Sequence, residues 1–361
     1  MKRFHTLLYM ACLLTASALC AHADTEVATF QPGVTAEGAV YCLPKLAVDV
    51  VVTTTKVTYT PGELCKYADR YLRLSGISDK ADEHYDLTRI GLSYAPVTDA
   101  SKCYVIRFSS SSLAPLVQLS GDGVLLAINT ENPYVEADEP AAATADAPED
   151  VDVHAFMTEE MLMASSKAKL AELVAKEIYA IRDSRNSLLR GESDGAPTDG
   201  AGMQLVLDNM QRQEDAFLQL FTGTVRKEET RSVYRIVPTS NVQKQVVARF
   251  SRKLGAVADD NLAGSPIYID IRNLGEAPDG VSPDAAQPRK SGKQDGVVYN
   301  LPAKASVKVY SAAVTYLEDK VPVPQFGTVE TLSTKLFSPK TRTRVILDPV
   351  TGALLKVDNG Q

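Results

Sequence analysis

The chain has 361 residues, 45 Asp and Glu against 38 Lys and Arg, five cysteines and no tryptophan. That length exceeds one simple core and predicts two or three domains. The acidic balance argues against nucleic acid and anionic membrane surfaces as partners.

Lys2 and Arg3, an apolar run from Phe4 to Leu19 and the small-residue triplet Ala21-His22-Ala23 predict a cleavable signal peptide over residues 1–23, because signal peptidase admits only small side chains at Ala21 and Ala23. Asp24 becomes the new N-terminus. The apolar run is short for a membrane span, and the expectation is no transmembrane segment in the mature chain. Cys20 follows Ser17-Ala18-Leu19, with Leu where a lipidation signal wants Gly or Ala. Cys42, Cys65 and Cys103 remain after cleavage. An odd count allows at most one internal disulfide, and the expectation is semi-buried thiols with no framework role.

Residues 24–130 read as an N-terminal β-rich module. Val48, Val50 and Val52 alternate in a strand over 40–60, and Pro61-Gly62 ends it. Leu64, Tyr67, Ala68, Tyr71 and Leu72 share one face of a short helix over 63–74. Strands are expected at 87–94, 103–108 and 124–128. Residues 131–152 hold eight carboxylates, three prolines and six alanines, which predicts a solvated acidic linker. Residues 153–224 predict a helical hairpin: a helix over 158–189 capped by Thr158 and stopped by Gly191, then one over 203–221. Residues 225–274 read as a small α/β segment, with strands at 230–237 and 266–272 around a helix at 241–254. A second polar linker covers 275–295. Residues 296–361 form a C-terminal β-rich module, in which Asp348-Pro349-Val350-Thr351-Gly352 turns a β-hairpin.

The chain resembles itself. Gly38-Ala39-Val40-Tyr41-Cys42-Leu43-Pro44 aligns with Gly296-Val297-Val298-Tyr299-Asn300-Leu301-Pro302 in a shared G-x-V-Y-x-L-P-x-x-A pattern, so Gly38, Tyr41, Pro44, Gly296, Tyr299 and Pro302 mark a repeat. Val57-Thr58-Tyr59 aligns with Val314-Thr315-Tyr316, and Gly123 to Asn129 with Gly352 to Asp358. The fold class expected is therefore α+β: two β-rich modules related by internal duplication, with an inserted helical hairpin.

Chemical motifs are scarce. His84 and His154 stand far apart and read as surface residues. Ser166-Lys167-Ala168-Lys169 fits S-x-x-K but sits in a helix with no K-T-G partner. No phosphate loop, dinucleotide fingerprint or calcium loop occurs in the sequence. No catalytic residue, cofactor or metal ligand is assigned on these motifs.

Several segments resemble a family of exported Bacteroidetes proteins, domain of unknown function 4831: Gln31 to Thr35 with Gly38 to Pro44, Tyr67 to Leu74, Asp122 to Asn129, and Glu177-Ile178-Tyr179 with Ile181-Arg182. Gln219 to Thr224, Gln325-Phe326-Gly327 and Asp348 to Gly352 also match. The resemblance spans almost the whole mature chain. It implies export and no catalytic residues.

The function expected is an exported envelope protein, in the periplasm first and otherwise at the cell surface or secreted, that binds or assembles with an unidentified envelope protein or glycan. A hydrolase acting on glycan or peptidoglycan through paired carboxylates, or a glycan-binding module, are the alternatives. Met161, Met163, Tyr179, Phe217 and Phe221 are candidate partner-contact residues, because the helices carry more apolar side chains than one buried stripe needs.

Overall fold

In a computed structural model the described residues are 26–32, 38–107, 117–135, 152–192, 197, 199–276, 296–333, 336 and 342–360. The signal-peptide residues Ala21, Ala23 and Asp24 lie outside them. Among the described residues the architecture is α+β and mostly β, in three antiparallel sheets.

Two very long strands set the plan. β2 (Ala39–Thr60) and β3 (Asp82–Arg107) pair along nearly their whole length. The 22 residues of β2 make roughly 70 Å of extended chain. β1 (Glu26–Thr29) and β6 (Thr224–Ile236) flank them in the order β1-β3-β2-β6. The second sheet orders β11 (Thr315–Ser333), β10 (Gly296–Tyr310), β9 (Ser265–Asn273), β7 (Val242–Ser251) and β8 (Gly255–Val257). The third orders β13 (Leu354–Gly360), β12 (Arg342–Leu347), β5 (Leu125–Ile128) and β4 (Val117–Leu119).

Among the described residues three cores hold these layers. In the middle, Val48, Val50 and Val52 of β2 face Ile267, Ile269 and Ile271 of β9 and Val307 and Val309 of β10, all buried. Period-two alternation places those side chains on the inner faces of two packed sheets. At one end, Tyr41, Leu43, Val298 and Tyr299 pack under the third sheet through Leu125, Ile128, Val345 and Leu347. At the other, α1 (Ala68–Leu72), α2 (Glu159–Leu162), α3 (Lys167–Arg190) and α4 (Gly200–Thr222) enclose Leu64, Ile178, Phe217 and Phe221.

Segments expected to be separate modules thus share sheets: β12, from the C-terminal stretch, pairs with β5 from the N-terminal one. Residues 225–274 are corrected from α/β to β. The expected helix at 241–254 is β7, whose register shifts twice, between Val242 and Gln245 and between Val246 and Ala248. Each bulge breaks the two-residue period, so Val247 and Ala248 are both buried and the apolar spacing mimics a helix. The expected helix over 158–189 is two helices. Ser166 Oγ accepts the Lys169 N–H and starts α3 anew, which also gives the S-x-x-K match a capping role. The linker expected at 131–152 begins inside the fold: buried Asn132 donates to the Leu126 and Leu347 carbonyls, and 136–151 lie outside the described residues. Nor are the cysteines all thiols. Cys42 and Cys103 are register partners on β2 and β3, with Cα atoms 4.0 Å apart, and form a disulfide; Cys65 is free.

Gly38 and Gly296 each lie against a carbonyl of the neighbouring strand. A side chain on Gly38 would strike the Ile106 carbonyl oxygen, and one on Gly296 the Leu332 carbonyl oxygen. Ile106 faces Ala39, and Leu332 faces Val297, at the same motif step. From Cys42 to Pro44 the partner strand runs from Cys103 to Thr98; from Leu301 to Ala303 it runs from Thr328 to Val323. The Cys42 N–H donates to the Gly123 carbonyl at 2.9 Å, and the Asn300 N–H to the Gly352 carbonyl at 3.0 Å. Val314-Thr315-Tyr316 does not follow this correspondence. It lies at the turn into β11, whereas Val57-Thr58-Tyr59 is still inside β2, because β10 turns back after Tyr310.

The bulge of β11 ties the two large sheets together, and that of β3 adds a contact within the first. Gln325, in the bulge of β11, accepts from the Leu46 N–H and donates to the Leu46 carbonyl, at 2.9 and 2.8 Å. Asp99, in the bulge of β3, meets Lys45 Nζ at 2.9 Å and accepts from Ser101 Oγ. Burial pushes the Asp99 carboxyl up, but the bonds from Ser101 and Lys45 outweigh it and hold it below its ordinary value.

Candidate functional site

The outer face of the second sheet gathers a cluster of polar and aromatic groups. The side chains of β9, β10 and β11 that do not point into the core stand outward in cross-strand rows. Tyr268, Tyr310 and Thr315 form one row, Asp270, Lys308 and Glu318 the next, and Arg272, Ser306 and Lys320 the third. The sequence builds this face simply: in Ile267-Tyr268-Ile269-Asp270-Ile271-Arg272 every second residue is a buried isoleucine.

Asp270 organises the rows. It accepts from Tyr310 OH at 3.1 Å and from the Lys244 N–H at 2.7 Å, and its second oxygen lies 3.3 Å from Arg272 Nη2. Its side chain is 15% exposed, so these donors take up the lone pairs it would otherwise show to water. The Tyr310 ring lies 5.5 Å from that of Tyr268, and Lys244 Nζ lies 5.5 Å from the Tyr268 centroid. Burial, the bond to Asp270 and its charge raise the Tyr310 hydroxyl above the ordinary phenol value, so it remains a neutral donor at physiological pH. Lys308 Nζ sits 3.6 Å from Glu318 Oε2, and Ser306 Oγ 3.4 Å from Glu318 Oε1.

Between the rows lies an open hollow of about 270 Å³. Arg272, Lys308 and Glu318 keep much of their side chains in solvent beside three hydroxyls, giving donors and acceptors around an aromatic edge. That suits a polar, hydroxyl-rich ligand bound at the surface. Asp270 and Glu318 stand on either side of β10 with Lys308 between them, each beside a cation. Arg272 neutralises Asp270 and Lys308 neutralises Glu318, unlike the acid and base of a glycosidase, which face each other across a scissile bond.

The family model for Domain of unknown function (DUF4831) matches residues 37–355. The chain belongs to the DUF4831 family. Neither a curated protein nor a solved structure matches it.

In this DUF4831 chain the residues singled out from the sequence fall elsewhere. Tyr41, Pro44 and Tyr299 are buried at the end beneath the third sheet; Tyr41 OH donates to the Val298 carbonyl and accepts from the Val298 N–H. Of the candidate contact residues, Met161, Phe217 and Phe221 are corrected to core: they are 4%, 1% and 0% exposed among the helices. Their apolar excess fills the space between α3, α4 and α1. Met163 and Tyr179 are exposed, but Tyr179 OH donates to the Tyr71 carbonyl at 3.0 Å and Arg182 lies over its ring. His154 is exposed beside Asp152, and His84 lies between Asp82 and Asp86. Among the described residues no group of three or more His, Cys, Asp or Glu is placed to hold a metal, and no helix is long and apolar enough to cross a membrane.

Sequence reasoning passed over Tyr268, Asp270, Arg272, Lys308, Tyr310 and Glu318. The signal available was the polar phase of two alternating strands, Tyr268-x-Asp270-x-Arg272 and Ser306-x-Lys308-x-Tyr310.

Proposed function

We propose that the chain is an exported envelope component that binds a hydroxyl-rich polymer, a glycan of the envelope, without transforming it, through the outer face of β9, β10 and β11. The observation that carries this reading is the Tyr268–Tyr310 pair beside the Asp270–Arg272 and Glu318–Lys308 ion pairs. An aromatic edge with fixed donors and acceptors around a shallow hollow matches the chemistry of sugar hydroxyls. The Cys42–Cys103 disulfide supports export, since such bonds persist in oxidising compartments. Retention of the purified protein on peptidoglycan sacculi and on a panel of neutral and acidic polysaccharides tests the reading. At least one polymer should retain it, and Tyr310→Ala and Lys308→Glu should each weaken retention roughly tenfold, the loss of about 1.4 kcal/mol of contact. Equal retention of both variants, or none of the wild type on any polymer, would sink it.

We further infer that the stretches beginning at Gly38 and Gly296 arose by duplication, with the helical hairpin of α3 and α4 inserted between them. The shared bulge and the paired Cys42–Gly123 and Asn300–Gly352 bonds support this. Asn300 and Val329 are register partners at the motif step that Cys42 and Cys103 occupy. An Asn300→Cys/Val329→Cys chain is therefore expected to close an additional disulfide, read as a 2 Da loss by mass spectrometry, two hydrogens per bond formed. Two free thiols at those positions after oxidation would count against the shared geometry.

A further inference from the structure

The outer edge of β13 stands apart from those of the other strands that end the three sheets. Among the described residues it has no strand partner beyond β12. Sheet edges of this kind template pairing with another chain unless they are short, charged or interrupted. The other strands that end the three sheets carry such protection. β4 and β8 have three residues each and β1 four. β6 bears Lys227, Glu228, Glu229 and Arg231, and β11 holds Pro322 and Pro324. β13 spans seven residues and exposes Leu355 at 47% and Val357 at 37%.

The charges on β13 complement themselves. Lys356 and Asp358 lie on the face opposite Val357, with Nζ and Oδ2 3.8 Å apart and side chains 64% and 48% exposed. Two copies paired antiparallel about a two-fold axis perpendicular to the sheet must place a residue opposite itself, since facing residues point to the same side. With Val357 on that axis, Lys356 of each copy faces Asp358 of the other, twice. Val357 is the register partner of Val345, which is fully buried in the core beneath the third sheet, so the contact extends that core across the axis.

We propose that β13 pairs with β13 of a second copy, joining two third sheets into one of eight strands. One added strand buries less than a standard protein interface, so the association is weak and concentration-dependent. It is independent of the glycan reading, because β13 lies in a different sheet from the tyrosine face.

Sedimentation equilibrium of the full chain over a wide concentration range tests it. The wild type should shift from monomer to dimer. Lys356→Asp alone and Asp358→Lys alone should each weaken dimerisation at least tenfold, because facing charges become like. An equimolar mixture of the two variants should dimerise at least as well as wild type, since every facing pair is again of opposite sign. That rescue also shows that both variants are folded. A wild type that stays monomeric throughout, single variants that dimerise like wild type, or a mixture that stays monomeric would each overturn the proposal.

Discussion

Replacing both bridge cysteines, as Cys42→Ser/Cys103→Ser, is expected to destabilise the protein by about 2–5 kcal/mol, a large share of a domain's stability. The bridge joins residues 61 apart in sequence. The closed loop contains most of β2 and β3 together with α1, so opening it frees a long segment in the unfolded chain. The bond also sits immediately before the bulge that carries Asp99, where the ladder between β2 and β3 is interrupted and backbone bonds are sparse. Thermal melts with and without a thiol reductant would show this. Wild type should lose roughly 5–10 °C on reduction, the double serine variant should start at the lowered value, and reductant should not move it further. A variant that melts with the oxidised wild type would show that the bridge adds nothing.

Removing two arginines is expected to have the second large effect. Glu214 of α4 is 4% exposed, and its carboxylate lies 2.6 Å from Arg182 Nε and 2.8 Å from Arg185 Nη2, both on α3. An Arg182→Ala/Arg185→Ala chain leaves that carboxylate buried without a cation, at about 3–5 kcal/mol. Arg182→Ala also strips the cation from the Tyr179 ring. Glu214→Gln should cost less than half as much. The arginine side chains are 38% and 25% exposed and can turn to water, and a neutral amide is far cheaper to bury than a lone charge. Urea denaturation of the three chains decides the order. A Glu214→Gln chain less stable than the double arginine variant would contradict it.

What the sequence revealed follows from how local each signal is. The valine alternation of β2, the Thr158 cap and the Gly191 stop are set by neighbours within a few residues, and all three lie where they were read. β7 was misread because two bulges destroy its period. Phe217 and Phe221 looked surplus to the helices because the wall they fill comes from Leu64 and Ala68, some 150 residues earlier in the chain. The disulfide needed the register of β2 against β3, which an odd cysteine count cannot supply. The Tyr268–Asp270–Arg272 face was missed for a similar reason. Each strand shows only polar residues alternating with aliphatic ones, and the cluster exists only once β9, β10 and β11 are aligned.

Hydrogen–deuterium exchange of the protein with and without a saturating soluble peptidoglycan fragment tests the central claim most directly. Slowed exchange confined to residues 265–273 and 304–320 is expected if the tyrosine face holds the glycan. Protection restricted to the helices between 159 and 222, with those strands unchanged, would contradict it.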